Sequence, residues 1–395
     1  MKIILDFRKY DGVVGGVEQG AIQIVRYATA NRHEVRLLCK QKNLDQVHAL
    51  FDERPGLRIV PLPVGSHVIS LVNAKLDAGF IQDLAERERA DLIHFFYNWS
   101  FPFRKKVACL LTIHDVIPFT FREAMPFFRN HGLYRPCLRV ACRLNDAITT
   151  VSEYSRRDIA RKTGTPLEKI RVVPNGLLEP APSSPAREAE LEAEFGLQDG
   201  FVLNVGGIHE RKNIPRLIRA FAKLVRAEGY RGKLLITGST SGAPYQEKMK
   251  KVCDAAAAEV GMAERVVFTG FVPEDDLDLL MRRAQVFVYP SLYEGFGIPI
   301  LESMKVGTPV VASNVTAMPD VAGDAGLLVD PYDVDAMAEG INRLLRDTDL
   351  RQTLQRRGFE RAAAYSWESA CRQYLDLYQE LARRRARTSR HATVD

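Results

Sequence analysis

Pro290-Ser291-Leu292-Tyr293-Glu294-Gly295-Phe296-Gly297-Ile298-Pro299-Ile300-Leu301-Glu302 is the stretch from which the rest of the chain can be read. The apolar run Val286-Phe287-Val288-Tyr289 precedes it, so a strand enters a glycine-containing loop and the loop enters a short helix. Pro299 suits the first helical position and Gly307 the residue just past the helix end. Glycines let the backbone approach a ligand closely, and loop amides at a helix N-terminus favour anions or sugar hydroxyls. Glu294 falls in the loop and Glu302 about one turn into the helix, so both carboxylates can face one cleft. Such a pair can accept hydrogen bonds from vicinal hydroxyls. The competing reading is a turn with a capping acid and a solvent-facing helical Glu.

Outward from this stretch, short apolar runs alternate with helical patterns. Strands are expected at 2–7, 34–39, 57–62, 91–96, 107–113, 147–151 and 170–173, then at 201–205, 233–237, 265–268, 285–289, 309–312 and 326–329. Continuously apolar strands separated by helices imply parallel sheets covered on both faces. Two such series predict an α/β protein with two doubly wound domains, whose strand-end loops face a cleft. Leu178-Glu179-Pro180-Ala181-Pro182-Ser183-Ser184-Pro185 holds three prolines and cannot be the interior of a helix or strand. The expected domains are therefore 1–178 and 179–365, with a terminal helix, 366–395, beyond the last strand.

Three further motifs bear on chemistry. Phe201-Val202-Leu203-Asn204-Val205-Gly206-Gly207-Ile208-His209-Glu210-Arg211-Lys212-Asn213 places two cations after a strand and a glycine turn. A guanidinium and an ammonium there can neutralise a diphosphate, or form an ordinary basic turn. Gly12-Val13-Val14-Gly15-Gly16-Val17-Glu18 follows the first strand but lacks the full dinucleotide-binding glycine spacing, leaving a loop able to contact phosphate or sugar. His114-Asp115 ends the strand at 107–113, where it reaches the cleft or serves structure alone. The Asp-x-Asp matches at Asp276/Asp278, Asp333/Asp335 and Asp347/Asp349 sit at expected helix starts, where Asp caps; they read as caps, and no metal site is expected.

The bulk properties fit a soluble enzyme: 46% hydrophobic, 26% charged, with no apolar run near the ~18 residues needed to cross a bilayer. The N-terminus meets Asp6 too soon for a signal peptide. Cys39, Cys109, Cys137, Cys142, Cys253 and Cys371 lack metal or redox spacing and read as reduced core residues of a cytoplasmic protein. The net charge of +6 is concentrated. Arg135, Arg139 and Arg143 recur every fourth residue, extended by Arg122 and Arg129, and Arg383, Arg384, Arg385 and Arg387 cluster near the end. Such faces suit an anionic membrane or a phosphate-bearing partner, or are simply solvated. No aromatic-basic interleaving supports nucleic acid.

Together these residues resemble family 4 glycosyltransferases of the GT-B fold, retaining and mannosyltransferase-like. The two glutamates with Gly-Phe-Gly between them, and Arg211-Lys212-Asn213 after the first strand of a second Rossmann-like domain, carry the resemblance. Val173-Pro174-Asn175-Gly176, Thr269-Gly270-Phe271-Val272 and Gly307-Thr308-Pro309-Val310-Val311-Ala312 extend it. The resemblance implies a nucleoside-diphosphate-sugar donor, with GDP-mannose or a similar hexose donor favoured by His114-Asp115-Val116-Ile117-Pro118, and a glycan or lipid-linked acceptor. It implies Arg211 and Lys212 on the diphosphate, Glu302 on the ribose, and Glu294 with the amides of Phe296, Gly297 and Ile298 on the transferred sugar. His114 would contact that sugar with Asp115 orienting it, and Gly15 and Gly16 would approach the diphosphate or acceptor. No cofactor or metal is implied, and the place of action is cytoplasmic, peripheral on the inner membrane face. Lys305 departs from the pattern, standing where a small residue is usual, either touching the donor or pointing to solvent. An epimerase or phosphorylase of similar architecture, and a non-catalytic binder of anionic polymers, are the alternatives.

Overall fold

The computed structural model describes residues 1–51, 53–64, 69–121 and 129–391. Its contacts divide the chain into two units, Met1–Gly176 with Ser366–Asp395, and Leu177–Tyr365. The sequence puts the join after residue 178; the structure puts it after Gly176, because the Leu177 amide already donates to the Tyr365 carbonyl at 3.0 Å within the second unit.

The first unit holds β1 (Lys2–Asp6), β2 (Glu34–Lys40), β3 (Leu57–Leu62), β4 (Leu92–Phe95), β5 (Ala108–Thr112), β6 (Ala147–Thr150) and β7 (Ile170–Val172). They form one sheet in the order β3-β2-β1-β4-β5-β6-β7, with every pairing parallel. The second unit holds β8 (Phe201–Val205), β9 (Lys233–Thr237), β10 (Val266–Gly270), β11 (Val286–Tyr289), β12 (Val310–Ser313) and β13 (Leu327–Val329), in the order β10-β9-β8-β11-β12-β13, again parallel. Strand order reverses beside the first strand of each unit, between β1 and β4 and between β8 and β11. Loops diverge at such a switch point and leave a crevice at the strands' carboxyl ends. Central strands are buried along their length because helices cover both faces: β4, β5, β6, β8 and β11 have no exposed residue.

Local signals set the helix starts. Asp333 Oδ1 accepts from the Asp335 and Ala336 amides, both at 2.9 Å, and Asp347 Oδ1 from Leu350 at 2.9 Å. Asp276 forms a two-point pair with Arg187. The three Asp-x-Asp matches thus serve helix starts and an ion pair. All six cysteines are free thiols.

The last helix, Trp367–His391, belongs to the first unit. Tyr378 is fully buried there, its Oη 2.6 Å from His94 Nδ1. His94 Nε2 lies 2.7 Å from Thr112 Oγ1, and Thr112 Oγ1 lies 2.6 Å from Thr149 Oγ1. A polar chain therefore runs from the helix across β4, β5 and β6. Burial, aided by His114, drives the His94 pKa down to about 3, so the ring is neutral and both its nitrogens need partners. Replacing Tyr378 by Phe leaves His94 Nδ1 without its partner and should destabilise the first unit by roughly 1–3 kcal/mol. Urea unfolding should show a lower midpoint at unchanged slope. An unshifted midpoint would show that this bond contributes nothing net.

Candidate active site

β8 and β11 are hydrogen-bonded neighbours, so the loops that follow them leave the sheet side by side at the switch point of the second unit. After β8 the chain turns through Gly206 and Gly207 into a short 3-10 turn, Glu210–Lys212. Asn213 follows in the left-handed region at φ +60 and leads into the helix Ile214–Glu228. Its side-chain amide donates to the carbonyls of Pro290 at 3.1 Å and Pro331 at 2.7 Å, tying together the loops after β8, β11 and β13. The Leu292 amide donates to the Arg211 carbonyl at 2.7 Å, which closes the two central loops on each other.

This pairing brings Arg211, Lys212 and Glu294 together. Arg211 Nη1 and Lys212 Nζ both pair with Glu294 Oε1, the latter at 2.9 Å. Lys212 is 4% exposed and Glu294 7%. The ammonium also donates to Tyr289 Oη at 2.7 Å and lies 4.3 Å from that ring's centre. Gly206 makes room for it: at φ +116, a Cβ there would stand 2.7 Å from Lys212 Nζ. Burial would raise the Glu294 carboxyl, but Lys212 and then Arg211 overcome it and hold its pKa down to about 2. Burial lowers the Lys212 ammonium to about 8 against the opposing pull of Glu294. The loop is also strained. Thr316, β-branched, sits at φ +58 while its Oγ1 accepts the Glu294 amide at 3.2 Å.

Gly297 takes the cap position of the helix Ile298–Lys305 at φ +109, a conformation that side chains rarely adopt. No hydrogen bond joins the amides of Phe296, Gly297 or Ile298 to any described residue, so three adjacent donors stand open at a helix start. The Phe296 side chain is buried edge-on to Tyr365, with centroids 5.7 Å apart. Glu302 does not share the Arg211–Lys212 pairing. It faces the helix Glu274–Arg283, and burial followed by Asp278 and Glu274 pushes its pKa up to about 7. Lys305 resolves otherwise than either expectation, since it donates to the Leu178 carbonyl at 2.8 Å and pairs with Glu179 at 3.0 Å.

In the first unit His114 follows β5 beside Phe96, with ring centres 5.5 Å apart. The described partner that orients the ring is the Phe96 main chain, whereas Asp115 Oδ1 accepts from the Ile117 amide at 2.9 Å and shapes the turn. Asp115 thus contributes to the turn that carries His114. His114 Nε2 is buried without a partner, and burial, then Lys9, lowers the ring's pKa to about 4. Gly15 and Gly16 are exposed at the start of the helix Gly16–Ala30, where the Gly15 amide donates to Glu18 Oε2 at 3.2 Å. Of the expected basic face, Arg139 and Arg143 are exposed. Arg135 instead turns inward to the Phe119 carbonyl at 2.7 Å, with its guanidinium 4.9 Å from that ring. Arg122 and the Arg129 side chain lie outside the described residues.

Residues 188–361 match the family described as glycosyl transferases group 1, and residues 14–177 match glycosyltransferase family 4. O-antigen chain mannosyltransferase B of Escherichia coli is 34% identical over 76% of this chain and 77% of its own. The chain is a glycosyltransferase of this family. The serotype-specific mannosyltransferase WbdA of Escherichia coli is 27% identical over 70% of this chain, which spans only 34% of that longer protein. Among solved structures, sucrose-phosphate synthase of Thermosynechococcus elongatus shares the fold with a TM-score of 0.76, at 22% identity over 96% of this chain and 98% of its own.

The reading of the glycosyltransferase sequence missed Tyr289 and Thr316. Tyr289 closes an apolar strand and looks like core; only its polar tip beside Lys212 marks it. Thr316 gave no signal, since its role comes from a backbone conformation that threonine seldom takes. Replacing Glu294 by Gln removes the only carboxylate described against the buried Lys212 and should cost about 3–5 kcal/mol at pH 7. The depressed folded pKa of Glu294 means its contribution is present above the usual 4.5 and is lost as pH falls from there towards 2. Wild type and Glu294→Gln should therefore converge in stability on acidification. Thermal melts that stay parallel across that range would contradict the pairing.

Proposed function

We propose that this glycosyltransferase is retaining and metal-independent. It moves a hexose from a nucleoside-diphosphate sugar to a glycan or lipid-linked acceptor in cell-surface polysaccharide synthesis. Mannose is the hexose favoured by the likeness to mannosyltransferase B, and GDP-mannose is the donor proposed for it. The observation that carries the reading is the Arg211–Lys212 pair beside the three open amides of Phe296, Gly297 and Ile298. Diphosphate oxygens fit the cations and sugar hydroxyls fit the amides.

In this mechanism the acceptor oxygen attacks the anomeric carbon on the face from which the diphosphate departs. One C–O bond forms as the C–O bond to phosphate breaks, and the acceptor proton passes to a departing phosphate oxygen. Arg211 and Lys212 stabilise that departing charge, a contribution larger in the transition state than in the ground state. Glu294 keeps both cations in place and accepts hydrogen bonds from the transferred sugar. A carboxylate already bound by two cations is a weak nucleophile, which favours the front-face route over a covalent intermediate. Glu302 accepts from the ribose hydroxyls. His114, neutral above its lowered pKa, offers an Nε2 lone pair to a sugar hydroxyl, and Gly15 and Gly16 leave space for a phosphate or acceptor.

With EDTA present, one donor of a nucleotide-sugar panel should raise the melting temperature by mass action and be turned over. Lys212→Ala should lower kcat/KM by about 10²–10³-fold, and Glu302→Ala should abolish the shift. Donor affinity should rise as pH passes through about 7, where Glu302 ionises, and Glu302→Gln should lose that dependence. Activity lost in chelator and restored by metal would overturn the metal-independent route.

The peripheral membrane position belongs to the same proposal and is supported by exposed Arg139 and Val140 on the helix Arg135–Leu144. Among the described residues no helix is long and apolar enough to cross a membrane. Arg139→Glu should release the chain from phosphatidylglycerol vesicles at low salt. Vesicles that ignore the wild type would end this part of the proposal.

A further inference from the structure

The amino ends of β5, β6 and β7 open on a cavity of about 360 Å³, closed on one side by the helix Trp367–His391. It lies at the opposite edge of the first sheet from His114. The length of β5 alone separates them by roughly 17 Å. Five cations line it: Lys105, Arg143, Lys169, Arg171 and Arg384.

Their partners leave a surplus. Lys105 pairs with Asp146, and Arg171 lies 3.7 Å from Glu380. The third carboxylate on the wall, Glu168, is exposed and makes no ion pair with a described residue. Neither Arg143 nor Lys169 meets a carboxylate among the described residues, and Lys169 Nζ donates to the Arg143 main-chain carbonyl at 3.0 Å. Burial, and then the charge of Lys105, lower the Lys169 pKa, and the opposing pull of Asp146, which is itself paired with Lys105, does not overcome them. Five positive groups against three negative ones leave a net charge of +2. A phosphate monoester carries close to two negative charges at neutral pH, whereas a carboxylate carries one. Leu377 and Leu381 supply an apolar wall for whatever the phosphate is attached to.

We infer that this cavity binds a phosphate monoester, with Lys169 and Arg143 as its principal ligands and Arg171 beside them. The cavity is lined by the first unit alone, whereas Arg211 and Lys212 belong to the second, and it serves a ligand other than the donor. Its phosphate belongs either to a soluble phosphorylated metabolite or to a lipid headgroup, and the two sources are separable.

Binding of inorganic phosphate and of glycerol 1-phosphate to the full-length protein should be titrated by calorimetry at constant ionic strength, balanced with chloride. Lys169→Gln and, separately, Arg143→Gln should each weaken this binding at least five-fold, while Lys212→Ala should retain it. Arg143 is exposed, so its replacement leaves the fold intact and keeps the test decisive where Lys169→Gln misfolds. In a second arm, the protein is sedimented with phosphatidylcholine vesicles with and without phosphatidic acid. Capture that requires phosphatidic acid and falls in Lys169→Gln assigns the headgroup, and phosphate binding without capture assigns a soluble ligand. If both variants bind phosphate as the wild type does, or only Lys212→Ala loses it, the inference is wrong. Neither readout depends on sugar transfer, so failure of the transferase proposal would leave this result standing, and the reverse.

Discussion

A carboxylate taken out of water has to be met by positive charge, and Glu294 is met twice. The pairing of β8 with β11 fixes where Arg211 and Lys212 arrive, and burial forbids either cation from standing alone. From this follow the glycine at 206, which clears space for the ammonium, and the phenol of Tyr289, which accepts a second of its hydrogen bonds. The uncommon backbone angles at Asn213 and Thr316 follow as well, since both hold the neighbouring loops against the pair. A triad arranged in this way is costly as a means of stability alone, because hydrophobic residues of equal volume would serve as well. Its presence at a sheet switch point makes sense as a preorganised anion site.

The two units use one winding for opposite electrostatic ends. At the second switch point charges are concentrated and buried against each other. Within β4 and just after β5 in the first unit, burial keeps His94 and His114 neutral: His94 has both nitrogens bonded within the protein, and His114 has one without a partner among the described residues. A neutral imidazole with an open lone pair suits a hydroxyl group, and a buried cation pair suits phosphate.

The fold was legible because continuous apolar runs such as 107–113 and 285–289 have one economical arrangement, a parallel sheet covered on both faces. Proline-rich 178–185 marked the join to within a few residues. The site was legible as residue types and loop positions, but its pairings were not. That Glu294 spends its charge on Arg211 and Lys212 depends on β8 and β11 being neighbours, a contact between residues more than eighty positions apart. Helical periodicity placed Arg135 with Arg139 and Arg143, yet Arg135 found an aromatic ring and a carbonyl to one side and left the solvent. Glu302 fell next to Asp278 and Glu274, and no local pattern predicts that another helix will bring its acids there.

The return of Trp367–His391 to the first unit also sets an order of synthesis. Residues 177–365 leave the ribosome as one uninterrupted segment and can complete their sheet and its covering helices before the helix Trp367–His391 is made. The first unit, begun earlier, lacks its closing helix until Trp367–His391 is made, and until then His94 has no Tyr378 to cover it. Domains generally fold as units and in the order they emerge. Here the unit begun first is completed second, and a chain cut off just after Tyr365 holds every residue of the second unit while His94 still lacks Tyr378.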